Sequence, residues 1–189
     1  RQRQMCIRDR PVSIGFGFNF FSGESSDSAE NQAMTVEGTL TVNKISGAQN
    51  LVPKDKICNG VTMNITSSAV SLLRVKVDVY YAKVGSTEYT VTTDIAPIDN
   101  PGTNWLKGSD GYYYYTQGVK NGDIVKLAEE GIYFNGLNDN VDMNKYQGKK
   151  IKVVANAELV QAKHGVFAEK WGLSENKDGD IYTKLKKIS

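Results

Sequence analysis

Few side chains in this sequence could do chemistry. His164 is the only histidine among 189 residues, so a two-histidine metal centre or an HExxH metallopeptidase helix cannot be built. Any Ser-His-Asp arrangement would have to use this one residue, and its polar surroundings, Gln161–Gly165, read as an exposed loop after a strand. Cys58 lies in the turn-like stretch Ile57-Cys58-Asn59-Gly60, has no neighbouring group to lower its pKa, and reads as a small buried hydrophobe. The chain has two cysteines, too few for a disulfide framework or a Cys-rich zinc site. Two loops rich in Asn and Asp offer oxygen ligands for calcium: Asn135–Asn144 with Asp139 and Asp142, and Asn176–Asp180 with Asp178 and Asp180. Neither has EF-hand spacing, and ordinary turn chemistry accounts for both. Gly15 and Gly17 lack the further glycine and the helix of a phosphate-binding turn. No catalytic residue, metal or cofactor is assigned.

The aromatic run Tyr112–Tyr115, with Trp105 and Trp171, offers binding surface rather than reactivity. On a strand, Tyr112 and Tyr114 share one face and Tyr113 and Tyr115 the other. One pair then lines the core, and Trp105, Tyr113 and Tyr115 are candidates for an exposed patch suited to sugar stacking or self-association.

The elements that would carry these residues read as β. Val12, Ile14, Phe16, Phe18 and Phe20 alternate with Ser13, Gly15, Gly17 and Asn19, the period-2 pattern of a strand with one apolar face. Similar alternation recurs around Val36–Val42, Val61–Ile65 and Leu73–Tyr81. Further strands are expected over Glu88–Asp94, Gly111–Gln117, Ile124–Leu127 and Lys150–Gln161. Turn signals separate the strands at Asn59-Gly60, Asp110-Gly111, Asn121-Gly122, Asn135-Gly136 and Asp178-Gly179. Helical patterning is confined to Lys126–Glu130 and Val166–Trp171. The fold class is all-β, an antiparallel sandwich or barrel with one or two short helices.

Composition is consistent with one globular domain: 40% apolar and 23% charged residues. The basic residues are unevenly spread. Of five arginines, Arg1, Arg3, Arg8 and Arg10 fall in the first ten residues and only Arg74 follows, against eighteen lysines. Residues 1–10 resemble translated sequencing-adapter text and are set aside as an artefact. Without them the net charge falls from +2 to −1. The remaining sequence carries no Lys/Arg run of the kind that marks a nucleic-acid partner. Residues 11–33 form an apolar strand followed by the polar, acidic stretch 22–33, and residues 34–189 form the sandwich domain. No run approaches the roughly 18–20 apolar residues of a membrane span, so no stable span is expected in the mature protein.

The order of several motifs resembles the TasA/camelysin family. Ser28–Val42 resembles the family's acidic segment leading into its first mature strand, and Leu51–Val79 resembles its P-G-D to R-V-K-V block, with Lys54 in place of the usual glycine. Trp105 with Asp110–Tyr115 is similar to its aromatic run, and Lys145–Gly148 with Ala157–Gly172 to its closing segment. The similarity covers roughly residues 18–175. It implies a jelly-roll β-sandwich, exported with a signal peptide through a dedicated signal peptidase in a Gram-positive bacterium, that builds extracellular biofilm-matrix fibres. Some relatives were classed as metallopeptidases, an activity the lone histidine does not support here.

Within that resemblance Val12, Ile14, Phe16, Phe18 and Phe20 are candidates for a strand donated to another copy. Burying five such side chains is worth on the order of 8–15 kcal/mol gross, much of it offset by ordering and association costs. An ordinary intramolecular strand and the remnant of a signal peptide are the alternatives for residues 11–21. The expected partner is a second copy, with other matrix or cell-wall components besides. The alternative function is a surface adhesin or a carbohydrate- or protein-binding sandwich module.

Overall fold

The computed structural model describes residues 12–22, 34–40, 48–49, 54–67, 69–146 and 148–189, the first three segments as backbone. The readings placed on residues 1–10, on the polar stretch 23–33 and on a cleavage site lie outside the described residues, as does the side chain of Cys58.

In chain order the strands are β1 (Val12–Ser22), β2 (Met34–Leu40), β3 (Ala48–Gln49), β4 (Lys56–Cys58), β5 (Val61–Ser67) and β6 (Ser71–Lys83). They continue with β7 (Thr90–Thr92), β8 (Trp105–Lys107), β9 (Tyr113–Tyr115), β10 (Ile124–Leu127), β11 (Ile132–Tyr133) and β12 (Lys149–Gln161). A 3-10 turn covers Met143–Tyr146, and helices α1 (Val166–Trp171) and α2 (Glu175–Ile188) close the chain. A seven-stranded sheet has the order β3-β1-β12-β6-β9-β8, with β7 also paired to β6. A three-stranded sheet has the order β10-β5-β2, and β4 and β11 form a two-stranded ribbon.

Side-chain alternation turns these ladders into layers. Val61, Met63, Ile65 and Ser67 on β5 are buried while Asn64 and Thr66 between them are exposed. On the larger sheet Leu73, Val75 and Val79 of β6 and Ile151, Val153, Ala155, Ala157 and Leu159 of β12 pack into the same core. The antiparallel β6–β12 ladder, thirteen register pairs from Lys149↔Lys83 to Gln161↔Ser71, is the longest among the described residues. Its opposite face is closed at one end by the helices: Leu72, Val160 and Tyr114 form a second core with Phe167, Leu173, Ile181 and Leu185. Each fully buried aliphatic side chain contributes about 1.5–3 kcal/mol, which holds the helices against a sheet already filled on its other face.

The mostly-β, sandwich-like architecture agrees with the sequence reading, with three corrections. One ladder is parallel: β1 runs beside β12 in the same direction. Lys126–Glu130 is the end of β10 and a turn, not a helix. Conversely, α2 spans 14 residues where Asp178-Gly179 reads as a turn; Gly179, at φ 32° and ψ −102°, kinks the helix instead of ending it. Ser174 caps α2, its hydroxyl accepting from Lys177 N–H at 3.3 Å while its own N–H donates to Asp178 at 2.9 Å.

Candidate functional site

The most distinctive backbone feature is the seat of β1. Its ladder with β12 runs through ten register pairs, from Ser13↔Lys150 to Ser22↔Leu159. Ile14, Phe16, Phe18 and Phe20 stand opposite Ile151, Val153, Ala155 and Ala157, all four fully buried. The intervening positions Gly15, Gly17 and Asn19 stand opposite Lys152, Val154 and Asn156. Small Ala155 and Ala157 therefore face two phenylalanine positions, and the alternation of β1 matches that of β12 in phase. A one-residue slip would reverse that match along the whole strand. On its other edge β1 meets β3 only at Val12 and Ser13 among the described residues.

The aromatic candidates are placed differently from the sequence reading. Trp105 and Tyr113 are 5% and 7% exposed and belong to the main core, with Tyr115 packed against them. The Trp105 indole N–H donates to the Lys126 carbonyl at 2.9 Å and its ring lies 4.9 Å from that of Tyr115. The three-stranded sheet covers this face, so it is no sugar-stacking platform. The other face of the run is covered as well, by an arrangement centred on Arg74. Its Nη1 donates to the Tyr114 hydroxyl at 3.2 Å, and its Nε pairs with Glu158. The guanidinium carbon sits 3.9 Å from the centre of the Tyr112 ring and 4.9 Å from that of Trp171, a cation within cation–π range of two aromatic rings. Burial pulls the Arg74 pKa down, but its hydrogen bonds to Glu158 and Tyr114 outweigh this and leave it raised. Tyr114 is fully buried and donates to Asp110; burial first, then that bond, push its hydroxyl pKa far above the usual value. This polar knot ties β6, β12 and β9 to α1, a structural task for the one arginine outside the opening ten residues.

The remaining candidates stand apart from one another. His164 is exposed in a left-handed turn, φ 57°, ahead of α1. Asp139 and Asp142 are exposed on the wall of a cleft of about 1000 Å³ that Asp99, Tyr133 and Asn135 also line. Asp142 there accepts from Asn144 N–H at 3.0 Å, as turn chemistry expects. The Asn135 side-chain NH₂ donates to both Asp99 carboxylate oxygens at 2.9 and 3.0 Å, while its own side-chain oxygen is buried without a partner. Asp178 and Asp180 lie on α2, Asp178 serving the cap. The four aspartates thus form two separate groups, and among the described residues no three His, Cys, Asp or Glu side chains are grouped to hold a metal ion. No described helix is long and apolar enough to cross a membrane.

A second ionic group was not anticipated. Asp94 pairs with Lys145 and accepts from the Tyr146 hydroxyl at 2.9 Å. The hydrogen bond from Lys145, followed by that from Tyr146, lowers the Asp94 pKa. No protein-family model, curated protein or solved structure matches the chain.

Proposed function

We propose that this chain is a secreted structural subunit of extracellular matrix fibres, as its resemblance to the TasA/camelysin family implies. In this reading it is a jelly-roll sandwich without a catalytic centre, and copies join when β1 of one takes the seat beside β12 of another. The observation that carries the reading is the ten-pair parallel ladder of β1 on β12. Backbone hydrogen bonds and alternate side-chain positions define that seat, and both would be offered equally by a β1 from another copy. The polar stretch that follows β1 in the sequence, Gly23–Ala33, has the composition of a tether. An eleven-residue tether reaches at most about 36–40 Å. The rival adhesin reading draws on exposed tyrosines and on loops; with Trp105 and Tyr113 in the core, the part of that support that rests on those two rings is gone.

The test uses two proteins, each with Cys6 and Cys58 replaced by serine. One carries Gly17→Cys and the other Val154→Cys, a register pair in the ladder. Mixed under assembly conditions and then oxidised, they should give disulfide-linked dimers between copies, and filaments should be lost when residues 12–22 are deleted. Filaments from the deletion variant, or no mixed disulfide within assembled filaments, would overturn the proposal.

A further inference from the structure

The seat beside β12 carries a pattern of sizes as well as of polarity. Along β12 the core-facing positions are Ile151, Val153, Ala155, Ala157 and Leu159, and all five are fully buried. Two alanines thus stand in the middle of the widest sheet. On the β6 side their register neighbours are Val77 and Val75, and on the other side they are the Phe18 and Phe20 positions of β1. Register neighbours lie on the same face of a sheet. Protein interiors are close-packed, so the strand seated beside Ala155 and Ala157 must supply the volume those two residues lack. The ladder hydrogen bonds are the same for any sequence and cannot make that choice; pockets for alternate side chains do.

From this pattern we infer that Ala155 and Ala157 select which strand occupies the seat: one with bulky apolar residues at two successive same-face positions, supplied by β1 of a second copy of this chain. The inference rests on the strand exchange proposed above and adds what decides which strand is exchanged. Among the described strands of seven or more residues, β1 alone has aromatic residues at successive same-face positions, Phe16, Phe18 and Phe20. β2, β5, β6 and β12 have no aromatic pair at that spacing. A strand with a small residue at position 18 or 20 leaves a cavity beside an alanine, and cavities in a core are costly. A larger residue at 155 or 157 overfills the same space against β1. Size at positions 18 and 20 and size at 155 and 157 are therefore two halves of one recognition element, and changing both together should switch the strand that is accepted.

Two measurements on the full chain, with Cys6 and Cys58 replaced by serine, test the inference. The first is a thermal-unfolding cycle of Phe20→Ala, Ala157→Phe and the double variant. Each single change should lower the melting temperature, one by a cavity and the other by overpacking, and the double variant should recover most of both losses. The second is a competition between two peptides of residues 12–22, both with Gly17→Cys and one also with Phe20→Ala, for a chain carrying Val154→Cys in a glutathione buffer. The chain's own β1 opposes both peptides equally. The Phe20 peptide should be linked in roughly tenfold or greater excess over the other, and Ala157→Phe in the chain should reverse the preference. Should Ala157→Phe fold poorly, Ala157→Val takes its place and should reduce the preference severalfold. Equal linking of the two peptides to the parent seat, or a double variant whose loss is the sum of the single losses, would overturn the inference and leave strand exchange standing. Linking of neither peptide would overturn strand exchange, and with it the second copy as occupant.

Discussion

Replacing Arg74 with alanine should produce one of the largest losses of stability available to a single substitution in this protein. Arg74 is 9% exposed as a residue, and its removal leaves the Glu158 and Asp110 carboxylates, 23% and 32% exposed, without their cation. Breaking a buried pair by deleting one partner costs about 3–5 kcal/mol. The two flanking rings would each contribute a further 0.5–2 kcal/mol, roughly, if they acted independently. They do not act independently, because all these contacts share one side chain, so about 3–5 kcal/mol is expected in total. At 2–4 °C per kcal/mol for a chain of this size, the melting temperature should fall by roughly 6–20 °C. Equilibrium urea unfolding followed by far-UV circular dichroism measures the loss, and Trp171 fluorescence reports whether α1 loosens first. Arg74→Lys keeps the charge but loses the planar stack and should recover only part of the stability. Arg74→Met with Glu158→Leu removes both charges and should recover most of it, since an apolar pair can replace a buried ion pair at little cost. A loss below about 1 kcal/mol for Arg74→Ala, the range of an exposed pair, would show that water compensates the knot and refute the reasoning.

Two further outcomes follow from local geometry. Gly60 has φ 107°, and a Cβ there would lie 2.2 Å from the Ala128 carbonyl oxygen; Gly60→Ala should cost about 1–3 kcal/mol for the conformation alone, with the clash adding to it, as read from the urea midpoint. The raised Tyr114 hydroxyl pKa predicts alkaline lability. Its contribution is intact below the ordinary tyrosine value near 10 and is lost as pH rises from there toward the folded-state value. Tyr114→Phe should flatten the fall in melting temperature above about pH 10, and an unchanged alkaline limb would remove Tyr114 as its cause. Asp94 acts in the opposite sense: its lowered pKa gives stability above the ordinary carboxylate range that is lost as pH falls through the folded-state value, a limb Asp94→Asn should reduce.

How much of this was legible beforehand depends on how local the cause is. Strands β1, β5, β6, β10 and β12 show in the sequence because a period of two is a property of neighbouring residues, and Ile124–Leu127 matches its expected limits. α1 is legible for a similar reason, a compact apolar stretch closed by Gly172 in a left-handed cap. α2 was missed because it is charge-rich and holds a turn-like Asp178-Gly179 pair. What keeps it helical is the docking of Ile181 and Leu185 against Leu72 and Val160, a contact no local window contains.

The faces of the tyrosine run follow the same division. Alternation separates Tyr113 and Tyr115 from Tyr112 and Tyr114, but what covers each face is settled by distant chain: the three-stranded sheet on one side, Arg74 and Trp171 on the other. By itself the amino-acid order determined where strands form and which residues share a face, because steric alternation acts between neighbours. Strand partners, the direction of β1 and the meeting of charges were decided by the tertiary structure, because pairing and burial act between residues remote in the chain.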